Sequence, residues 1–281
     1  MVAAVVVLFN PDVDVVKNIS SYVGCVEKVY IIDNSTFSNE DLFKAVPFKG
    51  ALEYVFNNGN LGIAEALNIG CKLAIKAGMQ WVLTMDQDSK FLNLDTKIIS
   101  QVLNTEDSRV VLYYPNYLID GIIYDKYIKE NNEPIVVMTS GNFINLQAYQ
   151  SLAGFEDKLF IDYVDIDYCL KIKAAGYRIA LLPDATLKHE LGQSEHVTFL
   201  SFNAMVTNHS SLRRYYITRN RLYVSKKYKT VSAVFTKTEK RIFINDLLKI
   251  ILFEDNKISK MKSVFNGYID YRNNKFGIYN Q

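Results

Sequence analysis

Short apolar runs followed by polar clusters recur through the first third of the chain. Residues 3–9 (AAVVVLF) are continuously apolar and rich in valine, a pattern typical of a strand that is covered on both faces of a parallel sheet. Similar runs lie at 28–33, 51–56 and 81–85, and helical stretches separate them. Strands that alternate with helices predict an open, doubly wound α/β sheet.

The rest of the chain is predicted to contain three more strands and a helical end. We expect strands at 110–114, 135–144 and 178–182. A helix is expected over 163–176, because acids lie at its start and lysines near its end, as the helix dipole prefers. From about residue 209 the pattern is helical. We therefore expect one α/β domain over 1–205 and a helical C-terminal region over 206–281 that packs on it.

Composition is that of an ordinary globular protein. The 281 residues are 49% hydrophobic and 22% charged, which is enough to bury a sizeable core. The three cysteines are widely spaced and odd in number, so we expect reduced core residues of a cytoplasmic protein and no zinc site. The apolar N-terminal run is too short for a signal peptide or a bilayer span. We expect a protein that is soluble or lies on a membrane surface.

The residues that follow the first four predicted strands are all polar. They read NPD (10–12), DNS (33–35), NNGNLG (57–62) and DQD (86–88), and ligands of parallel sheets bind at these carboxyl ends. The first strand is not followed by G-x-G-x-x-G, and the chain lacks the Gly-Lys-Ser/Thr of a P-loop. A phosphate bound here is therefore expected to be neutralised by a metal ion that carboxylates hold.

Asp86 and Asp88 leave the fourth strand two residues apart. Side chains at this spacing in an extended segment point to the same side. Their mutual repulsion would be relieved by a divalent cation that also binds the diphosphate of a nucleotide. The alternative is that one acid caps a turn while water solvates the other.

Seven segments carry a resemblance to a known family. The chain resembles the inverting glycosyltransferases of family two, which have the GT-A fold, and among them the bacterial rhamnosyltransferase-like branch. The resemblance covers about residues 3 to 224, and its segments occur in the family's order. They read VVVLFNPD, VYIIDNS, NNGNLGIAEALNIG, WVLTMDQDS, TSGNFINLQAYQSLAGFEDKLFIDYVDIDYCLKIKAAGYRI, LKHELG and RRYYITRNRLYV.

The resemblance implies a role for individual residues. Asp165 matches the catalytic carboxylate, and Asp86, Asp88 and His189 match metal ligands. Gln87 departs from the pattern, because many relatives carry another acid there. The residues expected to bind the nucleotide sugar are Asn10, Pro11, Asp33, Asn34, Asn60, Gly62, Ala66, Asn68, Asp86, Ser140, Gly141 and Arg219.

Two of these assignments have structural alternatives. Asp165 lies at the start of a predicted helix, where acids also serve as caps and neutralise the helix dipole. Arg219 interrupts an apolar stripe in 212–223, and a buried cation there needs an anionic partner. That partner is either the donor diphosphate or a nearby carboxylate.

The resemblance implies a metal-dependent inverting glycosyltransferase that uses Mg²⁺ or Mn²⁺. The favoured donor is dTDP-rhamnose, and the expected acceptor is a cell-surface polysaccharide or a lipid-linked glycan. The donor would bind in about residues 1–115 and the acceptor in about 116–205. Alternatives are a UDP-sugar donor or a non-catalytic nucleotide-binding scaffold. A sugar nucleotidyltransferase would need a glycine-rich basic loop after the first strand, and NPDVDVV is not one.

Basic residues concentrate in 213–241. The segment carries a net charge of +9, from ten basic residues against one acid, in a chain whose total is +2. This predicts contact with an anionic membrane at the inner face of the plasma membrane. The alternative is a face that packs on the catalytic domain and neutralises its acids. Nucleic acid is not expected as a partner, and homo-oligomer formation is left open.

Overall fold

A computed structural model describes residues 1–125, 127–131, 133–189, 195–199 and 202–279. The strands are β1 (Val2–Leu8), β2 (Lys28–Asp33), β3 (Leu52–Phe56), β4 (Trp81–Asp86), β5 (Lys90–Phe91), β6 (Val110–Ile119), β7 (Ile122–Ile123), β8 (Lys129–Glu130), β9 (Glu133–Pro134), β10 (Asn142–Asn145), β11 (Arg178–Lys188), β12 (Glu195–Phe199) and β13 (Phe202–Val206). The helices are α1 (Asp14–Ser20), α2 (Ile63–Lys76), α3 (Thr96–Leu103), α4 (Leu146–Ser151), α5 (Val164–Ala174), α6 (Ser211–Lys227), α7 (Ala233–Leu252) and α8 (Lys257–Arg272).

The chain divides into two compact units. One consists of Met1–Phe160 and Val164–Glu190, and the other of Ile161–Tyr163 and Leu191–Gln281. The first unit contains a mixed sheet with the strand order β3-β2-β1-β4-β10-β6-β11-β5, and β7 pairs with β6. Strands β1 to β4 are mutually parallel where they pair, whereas β10 runs antiparallel to both β4 and β6. The prediction of an open, mostly parallel α/β sheet is confirmed.

The first four predicted strands form within one or two residues of their expected bounds. The predicted strand at 135–144 is wrong for most of its length, since only Asn142–Asn145 pairs with the sheet. Thr139 and Ser140 instead belong to the turn before β10, where the Thr139 carbonyl accepts the Thr84 hydroxyl at 2.6 Å. The predicted helix at 163–176 is α5, and the predicted helical end corresponds to α6, α7 and α8.

Helix α2 packs closely against β1 because a glycine stands at the point of contact. A Cβ added to Gly70 would lie 2.4 Å from Cγ1 of Val5, a distance that no packed side chain tolerates. Val5 itself is fully buried. The absence of a side chain at residue 70 thus sets how near the helix comes to the centre of the sheet.

The second unit is held together by buried ion pairs. Arg214 pairs with Glu254, and Arg221 donates to Glu239 at 3.1 Å and to Asp246 at 2.8 Å. Both arginines are nearly inaccessible to water. The acids that they neutralise lie in their own unit, so the basic segment 213–241 is not solvated along its whole length. Arg214 and Arg221 are therefore not available for the predicted membrane contact, which the exposed basic residues of the segment would have to make.

None of the helices in the described part of the chain is both long and apolar enough to cross a membrane.

Candidate functional site

The loops at the carboxyl ends of the parallel strands are tied to one another by hydrogen bonds. The Asn10 amide donates to Ser35 Oγ at 2.7 Å, and the Asn34 amide donates to the Leu8 carbonyl at 2.8 Å. The Asn57 amide donates to the Asp33 carbonyl at 2.9 Å, which connects the loop after β3 to β2. These bonds bring the polar segments that the sequence singles out to one edge of the sheet.

Three side chains converge beside this edge. Asp86, Asp88 and His189 each offer a ligand atom, and within the described residues these atoms lie within 4.8 Å of one another. The first two follow β4, whereas the histidine follows β11. Strand β5 pairs antiparallel with the end of β11, with Lys90 opposite Lys188. This pairing explains how residues about a hundred positions apart in the sequence meet.

The electrostatics of this cluster favour a cation. The pKa of the Asp86 carboxyl is raised to about 6, chiefly by burial and then by the negative charge of Asp88, while His189 acts in the opposite direction. A divalent cation would remove the repulsion and stabilise both ionised carboxylates. Two carboxylates and an imidazole form a donor set that suits Mn²⁺ or Mg²⁺. The chemistry of the cluster therefore fits the predicted metal site.

Ser89 is a part of this cluster that the sequence analysis did not find. Its hydroxyl is fully buried and lies 2.7 Å from Nδ1 of His189. This contact orients the imidazole ring, and the same Nδ1 lies 4.0 Å from Oδ1 of Asp88, so the ring is held beside the carboxylates of the cluster. Ser89 directly follows Asp88 in the sequence, but its role could have been predicted only if the position of His189 had been known.

Gln87 lies between Asp86 and Asp88 in the sequence, and its side chain binds the backbone at the end of β1. Its Oε1 accepts the Phe9 amide at 2.8 Å, and its Nε2 donates to the Phe9 carbonyl at 3.3 Å. The side-chain amide thereby imitates a neighbouring strand at the end of β1. With glutamine at position 87, Asp86 and Asp88 are the two carboxylates of the motif that could hold a metal. The Gln87 side chain instead fixes the end of β1.

Ser140 and Gly141 lie directly beside Asp86. The buried Ser140 hydroxyl accepts the backbone amide of Asp86 at 3.1 Å, and the Gly141 amide donates to the Thr84 carbonyl at 2.7 Å. The turn before β10 therefore supports the end of β4, where a sugar next to the diphosphate would lie.

Asp165 stands in the first turn of α5 and is partly exposed. Its Oδ1 accepts the amide of Ile166 at 2.8 Å. The pKa of the buried Tyr117 hydroxyl is raised well above its usual value, chiefly by burial, and the charges of Asp86 and Asp165 add to this.

The first predicted nucleotide residues differ in how accessible they are. Asn10 is exposed and Pro11 is partly exposed, as a base pocket requires. Asp33 is fully buried, and its carboxylate accepts bonds from the Ser35 amide at 2.9 Å and the Tyr54 hydroxyl at 2.5 Å. Burial opposes ionisation, but hydrogen bonds from Ser35, Tyr54 and Asn39 hold its pKa below the ordinary value. Asp33 thus shapes the loop that follows β2, and its contact with the base or ribose stays a prediction.

The segment expected to close over the nucleotide is partly structural. Asn34 is buried, and its side chain donates to the Gly62 carbonyl at 3.0 Å, while the exposed Asn60 accepts the Gly62 amide at 2.9 Å. Gly62 has a φ of 87°, and a Cβ there would lie 2.5 Å from the Phe160 carbonyl oxygen. Only glycine fits this backbone and this close approach.

Asn68 forms hydrogen bonds within the first unit, and its predicted nucleotide contact stays a prediction. Its Nδ2 donates to the Phe155 carbonyl at 2.9 Å and also to Asp157. Its Oδ1 accepts the Phe155 amide at 3.0 Å and the Tyr149 hydroxyl. With both amide hydrogens and the oxygen bonded in a buried position, Asn68 fastens the 149–157 segment to α2. Its neighbour Ala66, two residues earlier, is fully buried.

Arg219 belongs to the second unit, where aromatic rings surround it. Its guanidinium carbon lies 5.0 Å from the ring centroid of Tyr216 and 5.3 Å from those of Tyr215 and Phe276. It also donates to the Gly277 carbonyl at 2.8 Å and is only 1% exposed. The aromatic rings and the Gly277 carbonyl stabilise the buried guanidinium, and the predicted diphosphate contact of Arg219 stays a prediction.

Two lysines beside the metal cluster escaped the sequence analysis. A cleft of about 170 Å³ is lined by Pro11, Asp88, Lys90 and Lys188 among others. The cleft beside the expected metal site is therefore also lined by positive charge. Lys90 lies two residues after Asp88, and Lys188 directly precedes His189. Their adjacency to motif residues is the signal that could have revealed them.

Comparison with known proteins gives one informative curated relative. The dTDP-rhamnosyl transferase RfbF of Shigella flexneri is 26% identical over 279 residues, which are 92% of this chain and 91% of the relative. No profile of a known protein family matches the chain.

Solved structures show the fold. S. aureus TarS 1–349 in complex with UDP-GlcNAc aligns with a TM-score of 0.60 at 14% identity over 96% of this chain and 80% of that one. GalNAc-T7 with UDP, GalNAc and Mn²⁺ aligns with a TM-score of 0.56 at 14% identity over 68% of this chain. The chain spans 43% of GalNAc-T7 and 48% of the longer TarS structure. The predicted GT-A fold is confirmed.

The curated relative also confirms the predicted similarity to rhamnosyltransferase-like glycosyltransferases, and with it the prediction of an enzyme of the glycosyltransferase class.

Proposed function

We propose that the protein is a metal-dependent inverting glycosyltransferase that transfers rhamnose from dTDP-rhamnose to a cell-surface polysaccharide or a lipid-linked glycan. The observation that carries the proposal is the cluster of Asp86, Asp88 and His189 at the carboxyl edge of a GT-A sheet. The name of the relative from Shigella flexneri supports the choice of donor. The division into a catalytic region over 1–205 and a helical region over 206–281 remains part of the proposal.

In this proposal each residue has one task. Asp165 accepts the proton of the acceptor hydroxyl, and the resulting oxygen attacks the anomeric carbon as the bond to the diphosphate breaks. Attack from the face opposite the diphosphate inverts the configuration. Asp86, Asp88 and His189 would hold Mg²⁺ or Mn²⁺, which when bound neutralises charge on the departing diphosphate. Lys90 and Lys188 would assist in binding that diphosphate.

A UDP-sugar donor is the second candidate. TarS was solved with UDP-GlcNAc, and GalNAc-T7 with UDP. These two structures make a uridine nucleotide as plausible a donor as a thymidine nucleotide on the fold alone. The donor therefore has to be determined by competition between nucleotide sugars.

Release of nucleoside diphosphate from each donor, measured without acceptor, tests the proposal. We expect slow dTDP release from dTDP-rhamnose in the presence of Mn²⁺, and at least tenfold less with EDTA or with Asp88→Asn. Faster release from UDP-GlcNAc would favour the second candidate. Tight donor binding without turnover of any sugar, even when a glycan acceptor is supplied, would indicate a non-catalytic scaffold.

A further inference from the structure

The exposed face of α7 combines cations with large apolar side chains. Ile244 is 57% exposed, Leu248 51%, Ile251 50% and Leu252 55%. Arg241 lies three residues before Ile244, and Lys237 lies four residues before Arg241. Both cations therefore continue the same stripe toward the N-terminus of the helix. The exposed residues of α7 are Ala233, Val234, Lys237, Lys240, Arg241, Ile244, Asn245, Leu248, Ile251 and Leu252.

Helix α8 repeats this arrangement. Ile258 is 88% exposed, Phe265 62% and Ile269 37%. Lys262 and Arg272 alternate with them at spacings of three and four residues, and both are exposed. Two consecutive helices of the same unit thus each present apolar and positive side chains to the solvent, on faces that a water-soluble helix normally fills with both signs of charge.

The acids of these helices point inward. Glu239 is buried and accepts bonds from Tyr163 and Arg221, and Asp246 accepts from Arg221 at 2.8 Å. Asp270 accepts the Tyr215 hydroxyl at 2.7 Å. None of the exposed residues of α7 or α8 is a carboxylate. The ion pairs that stabilise the unit therefore leave its outer helical faces purely positive.

We infer that the exposed faces of α7 and α8 dock on an anionic lipid surface. The lysines and arginines would pair with lipid phosphates while the isoleucine, leucine and phenylalanine side chains enter the boundary between headgroups and acyl chains. A second copy of the chain fits less well, because an isologous contact would bring cations against cations. This surface keeps the exposed cations Lys237, Lys240 and Arg241 of segment 213–241 and extends the region of membrane contact along α7 and α8, and it does not depend on the proposed activity.

A basic cleft adjoins this surface at the end of α8. It has a volume of about 580 Å³, and Tyr268 and Arg272 of α8 line it together with Lys226 and Lys227 of α6. The Arg272 guanidinium donates to the Tyr268 hydroxyl at 3.4 Å. No carboxylate lines the cleft. A lipid phosphate entering here would find several cations, with aromatic rings beside them for its glycerol or sugar portion.

Vesicle co-sedimentation of the full chain tests this inference. Without any donor, the protein should sediment with vesicles of phosphatidylcholine and phosphatidylglycerol at low salt, and much less at high salt or with phosphatidylcholine alone. Because each cation near the lipid strengthens partitioning about fivefold, Lys237→Gln/Lys240→Gln/Arg241→Gln should weaken it about a hundredfold. Ile244→Ser/Leu248→Ser should weaken binding at least tenfold.

A matched control removes the same charge elsewhere. Lys72→Gln/Lys76→Gln/Lys97→Gln changes three exposed lysines of the first unit and should retain most of the binding. Circular dichroism of each variant verifies folding. Equal sedimentation with neutral and anionic vesicles, or an equal loss in the control variant, would overturn the inference. So would a dimer in sedimentation velocity that Leu248→Ser dissociates, without any vesicle binding, because that result assigns the face to a second copy.

Discussion

At the scale of single residues, the role of Asp165 can be separated from its position in the helix. Asp165→Asn retains the size and the capping ability of the side chain but removes its capacity to take a proton. We expect kcat to fall by about 10²–10⁴-fold, whereas the dissociation constant of the donor should stay within about twofold. Steady-state kinetics combined with calorimetric donor titration measures both. Near-normal kcat would assign the base to another carboxylate.

Ser89 should act through His189. Ser89→Ala removes the hydroxyl that lies 2.7 Å from Nδ1, so the ring loses its fixed orientation, and metal affinity should drop about 10–100-fold. Ser89→Thr keeps the hydroxyl and should retain most of the affinity. Direct Mn²⁺ titration, followed by electron paramagnetic resonance of the free ion, measures this without catalysis. Equal Mn²⁺ affinity in the alanine and threonine variants would show that the hydroxyl has no such role.

The raised pKa of Asp86 predicts a pH dependence of stability. Since the folded-state pKa is about 6 and the unfolded value is about 3.9, the metal-free folded state binds more protons between these values. Its stability should therefore decline as pH rises from about 4 to about 6 through this group. Asp86→Asn should stabilise the metal-free protein at pH 7 by an amount on the order of 2 kcal/mol and have little effect at pH 4.

Urea denaturation in EDTA at the two pH values measures this difference. Asp184→Asn, on an exposed residue of β11, is the control and should show no such pH dependence. A stabilisation by Asp86→Asn that is equal at both pH values would contradict the assignment of the raised pKa.

A residue of the candidate site could be predicted from the sequence where its neighbours in the chain form a recognisable motif. Asp86 and Asp88 end an apolar run, and His189 matches a family segment, so the metal cluster was predictable. Ser89 and Gln87 act on residues 70 or more positions away, His189 and Phe9, and no local pattern reveals such pairs. Asn68 and Arg219 are both buried, and the sequence alone does not separate a polar side chain that supports packing from one that binds a ligand.

At the scale of elements, the contact of α2 with β1 determines how the helix lies on the sheet. Gly70→Ala improves helix propensity by about 1 kcal/mol, but its Cβ would lie 2.4 Å from Cγ1 of Val5. We expect a net destabilisation of about 1–3 kcal/mol, because a packed core cannot yield that much space. Chemical denaturation of the variant gives this free energy.

The double variant isolates the contact. Val5→Ala removes both methyl groups that the new Cβ would meet, so Gly70→Ala in that background should be neutral or stabilising. If Gly70→Ala destabilises the protein equally in both backgrounds, its effect does not come from this contact.

Elements were predictable where one local pattern dominates. Continuous apolar runs predicted β1 to β4, because a strand that is buried on both faces carries apolar side chains at nearly every position. The turn at 139–141 was mistaken for strand, because the apolar residues of 135–144 gave no sign of where pairing begins. The pairing of β5 with β11 was not predictable, since a two-residue strand carries no periodicity.

At the scale of the whole molecule, the chain combines a GT-A sheet unit with a helical unit. The order of the sequence motifs was sufficient to predict the first, since they follow the strand ends of a known fold. The helical end was predictable as helix, but its inner ion pairs were not. The net charge of a sequence segment does not show which of its arginines are buried. In the structure, Arg214 pairs with Glu254 and Arg221 with Glu239, and both arginines are buried.

Calorimetric titration of the full chain with dTDP-rhamnose, with Mn²⁺ and then with EDTA, tests most directly whether a carboxylate–histidine metal site binds the donor. With Mn²⁺ we expect saturable binding that is tighter than that of UDP-GlcNAc. EDTA should weaken it at least tenfold, and Asp88→Ala should do the same in Mn²⁺. Binding of equal strength in Mn²⁺ and EDTA would contradict the metal site, and tighter binding of UDP-GlcNAc would contradict the donor.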